Sequence, residues 1–183
     1  GAGASDVGVA GSFALTISKV NTRSRIASGA AVTLQDGTDG DSDVGVSNIK
    51  AASDTKSTAY ALSEEGAGGE NVGVGASVAV HLVDIYTYAQ VLDEGVVDGA
   101  SDLTLKAEAD ADVDTKAQGG AEGGTAITPV ATITFLNSET RADLGVLSAG
   151  STATTGDLSL TADFEGDVKG EAEGDAEGTD AAV

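Results

Sequence analysis

The chain repeats itself, and this constrains its fold more than any single motif. Residues 7–17, VGVAGSFALTI, return 65 positions later as VGVGASVAVHL at 72–82, and 53 positions further on as TAITPVATITF at 125–135. A period of this size marks one supersecondary unit, copied and stacked so that each copy covers the next. Arrays of this kind span, display or bind along their length, and seldom enclose a catalytic pocket. The copies run over about 6–70, 71–124 and 125–178, one continuous array across 1–183. Their first twenty positions align without gaps, so that Thr22 matches Thr87 and Thr140, and Ile26 matches Val91 and Leu144. Further on, NIKA at 48–51, TLKA at 104–107 and SLTA at 159–162 correspond, and a Gly/Ala/Glu-rich stretch closes each copy. The first copy is longer by an insert near 35–43. GAGA at 1–4 resembles the close at 66–69, and 179–183 resembles a new opening; the reading is a segment of a longer array.

Within a copy the apolar residues alternate. Val72, Val74, Ala76, Val78, Val80 and Leu82 share one face of a strand; Gly73, Gly75, Ser77, Ala79 and His81 share the other, which reads as outward. Beyond Asp84, and in the third copy between Phe135 and Leu136, the apolar parity slips by one residue. A slip of one flips the faces, which predicts a bulge or corner, with Asp84 and Asn137 as its turn residues. The second copy thus reads as four strands: Val72 to Val83, Thr87 to Leu92, Asp102 to Ala109 and Asp112 to Ala121, with a turn at Asp98-Gly99. Leu103, Leu105, Ala107 and Ala109 point inward, followed by Val113, Thr115, Ala117 and Gly119. The inward face shrinks to Ala and Gly at the close of each copy, where two sheets must approach closely.

These features predict an all-β fold. A flattened β-solenoid, or parallel β-helix, accommodates a first strand of about 40 Å and stacks equivalent strands in register. Tandem β-sandwich units are the alternative, although a copy of this length is small for a sandwich. The apolar content is Ala, Val, Leu and Ile, with three Phe, three Tyr and neither Trp nor Met, so the core must be thin.

Nine Lys and Arg stand against thirty Asp and Glu, a formal net charge of −21. That sign argues against a nucleic-acid partner and against anionic membrane surfaces. No apolar run approaches the roughly 20 residues of a membrane helix, so membrane insertion is not expected. With no cysteine, disulfides and thiolate metal sites are excluded.

The sharpest local motif lies in the insert, where Asp36, Asp39, Asp41 and Asp43 are interleaved with Gly37 and Gly40. Closely spaced carboxylates on a turn can converge on one hard cation, which makes calcium the candidate cofactor; no Glu follows at EF-hand spacing. Glu171, Glu173, Asp175 and Glu177 form an acidic ladder that stacked copies would bring close to Glu108, Asp110, Asp112 and Asp114. Such crowding calls for screening by solvent or shared cations. His81 is the single histidine and has no partner at metal-ligand or triad spacing. No Gly-x-Ser-x-Gly elbow pairs with it, and Gly73-Val-Gly-Ala continues as a strand where a dinucleotide site needs a helix. Carboxylate pairs are too common here to mark a glycosidase, and Tyr60, Tyr86 and Tyr88 are sparse as sugar platforms. The small, uncharged face of the first strand invites close packing against another layer; its Thr-rich form at 128–134 suits an ice-binding array only in the third copy.

The openings at 72–80, the DLTLKAEA stretch at 102–109 and the Ala/Gly/Glu close resemble repeats of very large bacterial surface proteins, the filamentous-haemagglutinin-like and autotransporter-type adhesins. The resemblance implies a β-solenoid stalk at the cell surface or outside the cell, and carries over no catalytic residue. Its partners would be neighbouring repeats, copies of itself or surface polysaccharide. A carbohydrate-binding or carbohydrate-processing β-helix and a self-assembling extracellular fibre subunit are the alternative functions.

Overall fold

Strict alternation dictates extended backbone, and the computed structural model, which describes residues 2–4, 6–34, 47–63, 66–147 and 156–183, has strands as its only regular elements among them. They are β1 (Ala2–Ala4), β2 (Val7–Ile26), β3 (Ala31–Thr33), β4 (Ser47–Leu62), β5 (Ala67–Gly69), β6 (Val72–Val91), β7 (Val96–Asp98), β8 (Leu103–Ile127), β9 (Val130–Leu144) and β10 (Leu158–Ala182). All pairings are parallel. β2, β6 and β9 form one layer with β6 in the middle, and β4, β8 and β10 form another around β8.

The strand register is the repeat alignment. Val7 pairs with Val72, Ser77 with Val130, and Asn48 and Ser159 both with Thr104. Thr22, Thr87 and Thr140 form one row and Ile26, Val91 and Leu144 another. The inserted residues 35–43 lie outside the described ones, between β3 and β4.

The expected corner at Asp84 is absent. β6 runs unbroken from Val72 to Val91, and Asp84 pairs with Lys19 and Asn137 in the same register as its neighbours. Strands three and four likewise merge into β8. The parity slip is a change in which face carries the apolar residues, made without any change in the backbone. Along β6 the buried positions are Gly73, Gly75, Ser77, Ala79 and His81, and then Val83, Ile85, Thr87, Ala89 and Val91. The small face read as outward is therefore inward, and it packs against the other layer of the same chain.

The separation of the layers explains the change. At one end Ala89 and Val91 pack with Ile49, Leu103, Leu105 and Ala107, a core of branched aliphatic side chains. In the middle Val83 and Ile85 meet Ala109, Ala111 and Val113. Towards the other end the buried apolar residues among those described shrink to Ala61, Ala79 and Ala117, with Ala14 and Val130 partly buried against them. There the backbones nearly touch: a Cβ on Gly75 would collide with the carbonyl of Gly120, and one on Gly73 with that of Glu122. The close approach read from the Ala/Gly stretches is present. β8 then passes from one layer to the other, its residues Thr125, Ala126 and Ile127 pairing with Val72, Gly73 and Val74 of β6.

Candidate functional site

Three surfaces carry chemistry: the polar interior, the outer face of the β4–β8–β10 layer and the outer face of the β2–β6–β9 layer. Inside, a thin gap filled by small residues leaves room for hydroxyls, which must find partners once buried. Ser12 and Ser77 share a hydrogen bond of 2.8 Å, and Ser77 also donates to the Gln118 carbonyl at 2.7 Å. His81 is fully buried, which corrects its outward placement. Its Nε2 lies 2.7 Å from Ser57 Oγ and its Nδ1 3.2 Å from Thr115 Oγ1, which accepts from Thr134 Oγ1 at 2.8 Å. A neutral imidazole suits two hydroxyls, donating to one and accepting from the other. Burial pushes the His81 pKa down, against a smaller opposing pull from Asp114. No carboxylate hydrogen-bonds the ring among the described residues, so the arrangement is a polar strut across the gap and lacks the orienting acid of a nucleophilic triad.

The outer face of the β4–β8–β10 layer collects acids, because each copy places them at the alternate positions that face solvent. Asp54, Asp110 and Glu165 fall in one cross-strand row, and Lys56, Asp112 and Asp167 in the next. Lysines relieve part of the crowding. Lys50 and Lys106 both reach Glu108, and Lys56 reaches Asp112 at 2.9 Å. Lys116 bridges Glu171 and Glu173, each at 3.0 Å, and Lys169 also holds Glu171 at 3.0 Å. Hydrogen bonds from Lys169 and Lys116 pull the Glu171 pKa down to about 2. The ladder is not stacked on Glu108 to Asp114 as expected: Glu171 pairs with Lys116 and Glu173 with Gln118, while Asp163, Glu165 and Asp167 stand beside Glu108, Asp110 and Asp112. Among the described residues no three carboxylate, imidazole or thiol groups converge as a metal site. Asp36, Asp39, Asp41 and Asp43, the calcium candidates, lie outside the described residues.

The outer face of the β2–β6–β9 layer divides in two. One half is apolar, with Val9, Phe13, Leu15, Ile17, Ile133 and Phe135 exposed around Val74, Val78, Val80 and Leu82 of the middle strand. The other half is polar. Tyr86 and Tyr88 lie there with ring centroids 6.3 Å apart; Lys19 Nζ sits 5.7 Å from the first ring and Arg23 Cζ 5.5 Å from the second. One face of each ring is therefore taken by a cation. Tyr60 is on the acidic face instead, where it donates to Asp114 at 2.7 Å.

The apolar half is the feature that parity alone assigned wrongly. A strand of alternating Val and Gly carries no mark of which face is inside; the Gly and Ala content of the opposing stretch at 117–126 was the available signal. Comparison of the chain with family models, with curated proteins and with solved structures finds no match.

Proposed function

We propose that the chain is a β-solenoid segment of a secreted or cell-surface adhesin, a non-catalytic stalk or filament that holds other parts at a distance. The observation that carries this reading is the register. Equivalent residues of three copies sit in rows, Ile49–Leu105–Leu160 and Val20–Ile85–Ser138 among them, so every copy offers the next the same hydrogen-bonding edge. Growth by adding copies then needs no new interface, and stiffness follows from continuous backbone pairing. The acidic outer face keeps such an element hydrated.

Small-angle scattering extrapolated to zero concentration tests the shape. A slab with strands about 80 Å long should give a radius of gyration near 24 Å, against about 16 Å for a globule of this length. Two- and three-fold concatemers should then lengthen by about 14 Å per added chain in electron micrographs. Globular particles, or concatemers that form separate beads, would overturn the reading. Calcium at Asp36, Asp39, Asp41 and Asp43 belongs to the same proposal: the melting temperature should rise with calcium and return with chelator. An Asp39→Asn/Asp41→Asn variant should lose that response.

A further inference from the structure

The exposed apolar half-face is not accounted for by stacking. Added copies pair along the edges of β2 and β9 and leave the outer face uncovered. Phe13 is 68% exposed, Ile17 69% and Phe135 61%, and they stand in one flat, in-register field with Val78, Val80 and Leu82. We propose that this layer docks face to face on the same layer of a second copy of the chain, about a two-fold axis running along the strands.

Area, charge and shape support this occupant. Three strands about 4.8 Å apart, over ten residues at about 3.3 Å each, give an apolar field of about 500 Å² per copy. With the adjoining polar half the face covers about 850 Å² per copy, the size of a standard stable interface. The chain carries −21, yet this face is nearly neutral: Lys19, Arg23, Arg25 and Arg141 stand against Asp84, Glu139 and Asp143. The acidic excess lies on the opposite layer, so face-to-face contact points the two acidic surfaces away from each other. A lipid or polyanionic occupant gains no comparable match from a chain of this charge.

The proposed axis lays β2 of one copy over β9 of the other and β6 over β6. Phe13 then meets the small Ala131, Leu15 meets Ile133, and Ile17 meets Phe135 of the second copy. In the polar half, Arg25 comes opposite Asp143 and Lys19 beside Glu139. Among the described residues none of Lys19, Arg23 and Arg25 has a salt bridge within its own chain. Arg23 meets Arg141, which Glu139 and Asp143 already hold at 3.3 and 3.1 Å.

Sedimentation velocity of the whole chain tests the pairing. A dimer is expected by about 50 µM, and Phe13→Glu/Ile17→Glu should weaken it at least about tenfold. Both positions are solvent-exposed, so circular dichroism and the melting temperature at low concentration should be unchanged. The axis places Val80 across from its own copy at the face-to-face spacing of stacked sheets, too wide for a disulfide. Val80→Cys should therefore be joined into a covalent dimer by a short bismaleimide crosslinker, while Leu62→Cys on the acidic layer should not. A monomer at every concentration overturns the proposal, as does a dimer that survives the double glutamate variant. A monomer that sediments with phosphatidylcholine vesicles also overturns it, and assigns the face to lipid.

Discussion

The two halves of the β2–β6–β9 layer have the same backbone and the same register but opposite polarity. In the half at 7–17, 72–82 and 125–135 the inward residues are Gly, Ala, Ser, Thr and His81, with Val130 as the one branched aliphatic among the described residues, and the other bulky aliphatic residues face solvent. In the half at 18–26, 83–91 and 136–144 the bulky residues turn inward, and Lys19, Arg23, Tyr86, Tyr88 and Arg141 lie outside. Layer spacing makes the difference. Where Leu103 and Leu105 fill a wide gap, Val91 and Ala89 can join them; where Gly120 and Glu122 press their carbonyls against Gly73 and Gly75, nothing larger fits. Apolar residues sit inside only where there is room for them.

Substitutions at the two ends should therefore fail for opposite reasons. Ile85→Ala leaves a void at the centre of a packed row and should cost about 4 kcal/mol, read from the urea midpoint. Gly75→Ala adds a single methyl at the narrow end and should cost nearly as much, about 3 kcal/mol, by forcing the layers apart. If Gly75→Ala were silent while Ile85→Ala was severe, the taper would not be rigid.

Acid should act on the narrow half through His81. Its folded pKa lies below the unfolded value of about 6.5, so the unfolded chain binds the proton first. This contribution to stability is complete above that pH. It falls as pH drops below about 6.5 and levels off once the folded pKa is passed. Melting temperatures from pH 8 to 5 should show a decline that His81→Gln, also able to donate and accept, abolishes. An unchanged decline would place the effect elsewhere.

The smallest effect is expected outside. Leu15→Thr on the exposed apolar half should change monomer stability by about 0.5 kcal/mol or less, because its surroundings are already wet. Thermal melts at low concentration check this, and a larger loss would mean that the outer field stabilises the single chain.

Much of the fold was legible in the sequence. The gapless alignments 7–26 with 72–91, and 48–51 with 104–107 and 159–162, are the hydrogen-bond registers themselves. Inward Leu103, Leu105 and Val113 follow from alternation, and Gly99 sits at a φ of 76° in the turn that Asp98-Gly99 predicts. Hydrophobicity is a poor guide to the inside in the narrow half. Small neighbours suggest an outward His81, yet smallness is what the interior demands there. The parity change at Asp84 suggests a corner, but the strand needs none.

The sequence by itself determined the unit, its spacing and which residues stack, because like residues at fixed separations can pair in parallel in only one register. Which side of each strand is buried was left to the tertiary structure. A period of two defines two faces but does not rank them; the ranking came from how closely the second layer approaches, a distance set by residues some forty positions away. That distance alone buries His81 and leaves Phe13, Ile17 and Phe135 in solvent.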